Sequence, residues 1–356
     1  MIPFLSSLFR QKRLRRLALS LGGSVLLTTG AQAGDAPPFG PGVANITIED
    51  ARRDRPLGGD IWYPTATPDQ YAIADKSKVW KMAPADQDGV PADGVFPLVV
   101  VSHGMYGNTL NQAWLGSALA RRGFVVAMVN HPGSSTFLRD PDQTRQLWDR
   151  PIDLSRLISF LTEESVYKDR IDRERIYAAG HSLGGFTVML LAGAEFEPGR
   201  YERVCASEDL PVACQVLTGW SIAKTDGDRI EMATSRRDPR LAKVISLDLG
   251  GTPVLSRDSL GAIDIPVLVL GSGRADMLDQ EAESRALAAA LPGDKVRHVE
   301  LDDAGHFDFM GVCKPEGFAI LEEHEPGDEI VCIKGNAERM EQHRRILSEI
   351  LAFLKT

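Results

Sequence analysis

Gly180-His181-Ser182-Leu183-Gly184 places a serine with a glycine two residues away on either side. Before it runs the strand-like segment Arg175-Ile176-Tyr177-Ala178-Ala179, and after it an apolar helical run from Phe186 to Leu191. A serine hydroxyl is a poor nucleophile at neutral pH, so chemistry there needs a base in reach and a position clear of covering side chains. A tight strand-to-helix turn meets both needs, and it brings backbone so close that only glycine fits at the flanks. A glycine-rich turn with a helix-capping serine would share these letters, but it would not require a buried strand before it and an apolar helix after it.

The rest of the chain supplies partners for that unit. Phe96-Pro97-Leu98-Val99-Val100-Val101-Ser102 is a continuous β-branched run, as in a strand buried on both faces of a parallel sheet. Further strands are expected over 124–130, 243–247, 266–271 and 295–301, and helices over 112–122, 153–164, 280–291 and 337–354. Two short strands, 45–49 and 59–63, precede them, after an extended Pro- and Gly-rich leader over 34–42 and before a long loop over 65–95. Strands alternating with helices predict an α/β domain, a mainly parallel sheet covered by helices on both faces. Residues 193–240 break the rhythm and read as an insertion or lid between the helix after Ser182 and the next strand.

Residues 1–33 read as a secretory signal peptide. Arg10, Lys12, Arg13, Arg15 and Arg16 precede an apolar run over Leu17–Gly30, and Ala31-Gln32-Ala33 supplies small residues for cleavage. The run is shorter than the roughly 20 residues a membrane span requires, so no stable membrane anchor is expected. Arg15-Arg16 leaves both the general and the twin-arginine export routes open. Residues 34–356 are long enough for one large domain or two small ones, and are read as a single domain. Cleavage removes five basic and no acidic residues and takes the formal charge from −9 to −14, which disfavours nucleic acid as a partner. The four cysteines fall in the mature part, and short-range pairing, Cys205 with Cys214 and Cys313 with Cys332, suits an exported chain. Their spacing does not suit zinc, and no metal is expected.

The base should follow the nucleophile in chain order, on a loop after the last strands. His306 fits, in Leu301-Asp302-Asp303-Ala304-Gly305-His306-Phe307. Two aspartates are placed for the acid that orients it. Asp276 follows the strand over 266–271 and is the first choice; Asp248 ends the preceding strand and is the alternate. Met105, after Ser102-His103-Gly104, and Leu183, after the nucleophile, are assigned as the two backbone N–H donors to an oxyanion. His103 is read as a brace for its loop.

With these residues in place the chain resembles bacterial predicted dienelactone hydrolases, and behind them platelet-activating-factor acetylhydrolases and secreted cutinase-like polyester hydrolases. The matching stretches are Arg55-Pro56-Leu57 with Ile61-Trp62-Tyr63-Pro64, Ser102-His103-Gly104, Asn130-His131-Pro132-Gly133, Arg150-Pro151-Ile152-Asp153, Gly180 to Gly185, and Gly305-His306-Phe307-Asp308-Phe309. The resemblance implies an α/β-hydrolase fold and a cofactor-free Ser-His-Asp hydrolase of small or polymeric carboxylic esters. True dienelactone hydrolases carry cysteine where this chain has Ser182. Acetylhydrolases place the acid after the earlier strand, which points to Asp248, and cutinase-like enzymes after the later one, which points to Asp276. An acyltransferase or amidase would use the same residues, and a non-catalytic binding protein on this fold would have lost them.

Overall fold

Phe96–Ser102 is buried at every position, and it lies at the centre of the molecule for the reason its sequence suggests: neither face of it meets water. The computed structural model describes residues 37–49, 55–67, 77–207, 210–333 and 336–356; the expected signal peptide, 1–33, lies outside them. The strands among these residues are β1 (Gly40–Ile48), β2 (Leu57–Thr65), β3 (Asp86–Gln87), β4 (Phe96–Ser102), β5 (Val125–Val129), β6 (Ser134–Ser135), β7 (Leu138–Arg139), β8 (Ile171–His181), β9 (Leu241–Leu247), β10 (Val267–Ser272) and β11 (Val296–Leu301). Nine of them form one sheet in the order β11-β10-β9-β8-β4-β5-β2-β1-β3. From β5 to β11 every neighbouring pair is parallel, whereas β2 runs antiparallel to both β1 and β5.

Successive side chains of a strand point to opposite faces, and the two cores divide accordingly. Leu98 and Val100 pack on one face with Ala178, Val188, Leu191 and Val269. Val99 and Val101 pack on the other with Ala179, Ile245 and Leu270. The helices Asp149–Ser159 and Leu183–Ala192 cover the first face. Ala113–Ala120 and the closing helix Asn336–Lys355 cover the second, through Leu115, Leu119, Ile346 and Ile350.

Residues 40–42 and 280–283 differ in backbone state from the sequence expectation. Residues 40–42, expected in the extended leader, begin β1, with Pro41 opposite Pro64. Among the described residues, β1 is followed at this edge by the two-residue pairing with β3 alone, and proline is tolerated in such a near-edge strand, where fewer ladder bonds are required of it. The helix expected over 280–291 spans only Ser284–Ala290. Gln280 and Glu283 are drawn out of the helical register: Gln280 donates to Asp248 Oδ1 at 2.9 Å, and Glu283 accepts the backbone N–H groups of Gly251 and Thr252, each at 2.8 Å. Residues 193–240 carry three short helices, Pro198–Val204, Val212–Gly219 and Asp226–Ala233, the first two joined by the Cys205–Cys214 disulfide. Thr225 caps the third, its hydroxyl accepting from Asp228 N at 3.1 Å.

Candidate active site

The turn between β8 and the helix Leu183–Ala192 holds Ser182 at φ 56°, ψ −121°, a conformation that side-chain-bearing residues rarely adopt. Its glycines are required by contact. A Cβ on Gly180 would meet the Gly184 carbonyl, and one on Gly184 would meet the carbonyl of Ser102. The Ser182 N–H donates to Leu247 O at 3.0 Å, which pins the turn to the end of β9. Leu183 is the first helical residue, so its N–H has no acceptor within the helix.

Asp248 follows directly after β9 and is fully buried, with φ 46°. Its Oδ2 lies 2.6 Å from His306 Nδ1, and its Oδ1 accepts from Ser272 N at 2.8 Å and Gln280 Nε2 at 2.9 Å. Burial opposes the charge, but the hydrogen bonds from His306 and the Ser272 N–H outweigh it and hold the carboxyl below the usual carboxylate range. Asp276, the first choice from sequence, is turned elsewhere. Its side chain is 41% exposed, pairs with Arg274 at 3.1 Å, and accepts the backbone N–H of His306 at 3.1 Å. It therefore holds the main chain of the histidine while Asp248 holds the ring.

The His306 ring lies against the elbow, its centroid 4.7 Å from that of His181, and His181 Nε2 donates to the His306 carbonyl at 2.9 Å. Below this loop, Asp308 Oδ2 accepts from Gly305 N at 2.8 Å, and buried Arg339 donates to the carbonyls of Gly311 (2.9 Å) and Val331 (2.7 Å). The Cys313–Cys332 disulfide closes the same segment. A Cys313→Ser, Cys332→Ser double variant is expected to lose about 3 kcal/mol of stability, from the entropy of a loop of this length. Because Arg339 still ties Gly311 to Val331, activity below the melting transition should fall less than tenfold. Urea titration beside a rate assay checks both numbers.

Met105 follows β4 on a loop that passes close to Ser182: a Cβ on Gly104 would lie 3.4 Å from Ser182 Cβ. Behind this loop is a buried polar cluster whose members the sequence does not reveal as neighbours. The Arg150 guanidinium, 2% exposed, donates to Ser134 Oγ (2.7 Å), Thr187 Oγ1 (2.9 Å), Ser102 Oγ (3.1 Å) and the His103 carbonyl. His131 joins Ser102 Oγ to Asp153 Oδ2, each at 3.0 Å, and Arg55 grips Asp153 with two bonds of 2.9 Å. Four of the stretches that carry the resemblance thus meet in one place. The signal in sequence was Arg150 and Asp153 on the same helix face as Leu154 and Leu157, charges where an apolar stripe should be.

On the outer side of the loop, Tyr106 stacks obliquely on Trp220 of the 193–240 segment, centroids 5.1 Å apart, and Arg139 lies over its ring at 4.7 Å. The hairpin of β6 and β7 is fastened to this loop through Thr136, whose N–H donates to Gly107 O at 2.9 Å, and it leaves Phe137 83% exposed.

His103, His131, His181 and His343 are buried, and burial lowers each below the ordinary 6.5, His181 to about 3 and His343 to about 4. Unfolded, these rings take up protons as pH falls through about 6.5; folded, they do not, so stability falls with pH from there. Asp153 and Glu283 act in the opposite sense, burial raising the latter to about 8. The balance is an uptake of about two to three protons on unfolding, or roughly 3–4 kcal/mol lost per pH unit once the unfolded rings are protonated below 6.5. Denaturant titrations at pH 7.5, 6 and 5 measure this slope, and a flat profile would mean that these rings take up protons in the folded state.

Comparison with known proteins agrees with this architecture. The sequence profile of a family described as PET hydrolase-like matches residues 89–198. Bis(hydroxyethyl) terephthalate hydrolase of Streptomyces coelicolor is 27% identical over 261 residues, covering 64% of this chain and 69% of that one. Cutinase est1 of Thermobifida alba is 31% identical over 218 residues, 60% of this chain and 55% of the relative. Among solved structures, a ferulic acid esterase from Streptomyces cinnamoneus superposes with a TM-score of 0.56 at 22% identity, over 89% of this chain and 90% of that one. The chain has the α/β-hydrolase fold.

Proposed function

We propose that this α/β hydrolase is an exported serine ester hydrolase, with Ser182 as nucleophile, His306 as base and Asp248 as the acid that orients it. One observation carries the reading: a buried aspartate 2.6 Å from His306 Nδ1, on a ring held against an elbow that displays a serine. The relatives support the bond type, being a bis(hydroxyethyl) terephthalate hydrolase, a cutinase and, by fold, a ferulic acid esterase. The two disulfides support an oxidising compartment, periplasmic or extracellular, and no helix among the described residues is long and apolar enough to cross a membrane.

The chemistry is acyl transfer in two steps. His306 takes the Ser182 proton as the hydroxyl attacks an ester carbonyl, and the N–H groups of Met105 and Leu183 stabilise the oxyanion. The protonated ring then gives its proton to the leaving alcohol, the serine ester forms, and water, activated by the same ring, releases the acid and restores Ser182. Asp248 holds the Nδ1–H tautomer and stabilises the imidazolium. The test is labelling of Ser182 by a fluorophosphonate probe, alongside hydrolysis of p-nitrophenyl esters of graded chain length, bis(hydroxyethyl) terephthalate and a soluble polyester. Labelling with turnover of at least one ester supports the reading; an unlabelled serine and no hydrolysis overturn it.

A further inference from the structure

The mechanism leaves one buried ring beside Met105 without a part. His103 is 2% exposed, with Nδ1 2.8 Å from the Gly104 carbonyl and Nε2 3.2 Å from the backbone N–H of His131. A carbonyl only accepts and a backbone N–H only donates, so these partners set one tautomer: hydrogen on Nδ1, lone pair on Nε2. Burial and the nearby Arg150 guanidinium hold the ring neutral, well below its ordinary value. The carbonyl that accepts from it belongs to the Gly104–Met105 peptide, the planar unit whose other polar group is the Met105 N–H.

We propose that His103 is a positioning residue that orients the Gly104–Met105 peptide and strengthens the Met105 N–H as a donor to the oxyanion. It does so by donating from Nδ1 to the Gly104 carbonyl. A hydrogen bond to the carbonyl of a peptide draws electron density from its nitrogen, so that the N–H becomes a better donor; bonds in such a chain reinforce one another. The ring itself is fixed from behind. His131, which donates to its Nε2, is locked by Ser102 and Asp153, and Arg150 ties the His103 carbonyl to Ser102, Ser134 and Thr187. The peptide that meets the developing charge is therefore preorganised, which is where such a donor contributes most. The inference rests on the reading that the Met105 N–H faces the oxyanion.

Two amide side chains separate this role from general bracing. Asparagine places its NH2 where histidine has Nδ1 and glutamine places its own where histidine has Nε2, so His103→Asn keeps the donor to Gly104 and His103→Gln loses it. The expected result is kcat within about fivefold of wild type for His103→Asn and 10- to 100-fold lower for His103→Gln. That loss is smaller than the ~10²–10³ of deleting an oxyanion donor outright. KM should move less than threefold, while the inhibition constant of a boronic acid that forms a tetrahedral adduct on Ser182 rises by the same factor as kcat falls. Equal kcat in the two variants, or a kcat loss with unchanged boronate affinity, overturns the proposal. Fluorophosphonate labelling separates the two levels: an unlabelled wild type overturns the hydrolase reading itself, whereas a labelled wild type with indistinguishable variants overturns the role of His103 alone.

Discussion

Asp248→Asn is expected to lower kcat by about ten-thousandfold at neutral pH, the size of effect known when a protease triad loses its carboxylate to an amide, while Asp276→Asn stays within about tenfold of wild type. The structure explains why the amide is so damaging at position 248. Oδ1 accepts two hydrogen bonds, from Ser272 N and Gln280 Nε2, so an asparagine there must keep its oxygen on that side and turn its NH2 toward His306. A donor facing Nδ1 forces the lone pair onto that nitrogen and the hydrogen onto Nε2, and a ring in that tautomer has no lone pair for the serine proton. At position 276 an asparagine still accepts the His306 backbone N–H. What it gives up is a half-exposed ion pair with Arg274, of the kind that contributes about 0–1 kcal/mol. Rates on a p-nitrophenyl ester, with thermal melts to show that both variants are folded, decide the matter. The opposite pattern would return the role of acid to Asp276, and two mild variants would remove it from both.

Ser182→Ala should abolish turnover, by about a millionfold in kcat as in a serine protease that loses its nucleophile, with the fold unchanged. Alanine keeps the Cβ and meets the same backbone strain at φ 56° that serine already bears, and Ser182 caps its helix through no side-chain bond, so little stability is at stake. Some acceleration over water, roughly a thousandfold, can persist from the backbone donors and substrate binding alone. The contrast is Gly184→Ala, where the added methyl meets the Ser102 carbonyl and the turn itself has to move. Circular dichroism and active-site titration of the two variants distinguish a missing nucleophile from a broken elbow; wild-type turnover in Ser182→Ala would end the case for this site.

Much of this molecule is written locally. The β-branched run of β4 is buried on both faces because it has no polar position to offer water, and the glycines around Ser182 announce a turn that no other residues can make. The two disulfides close short loops, and the pairs expected from sequence are the pairs formed. The position of His306 after the last strand could be named for the same reason: chain order in a parallel sheet fixes which loops share an edge.

The choice between two aspartates was of another kind. Both follow neighbouring strands at the same edge, and nothing within a few residues of either tells which carboxylate faces the ring. That depended on φ 46° at Asp248 turning its side chain inward, on Gln280 leaving its helix to meet Oδ1, and on Arg274 drawing Asp276 toward solvent. The cluster around Arg150 is likewise a product of assembly. Arg55, Ser102, His131 and Asp153 come from separate elements up to 98 positions apart, and each alone reads as an ordinary polar residue. Burying a guanidinium is tolerable only when several acceptors converge on it, and only the packing of a helix, two strand ends and a hairpin behind one loop brings them together.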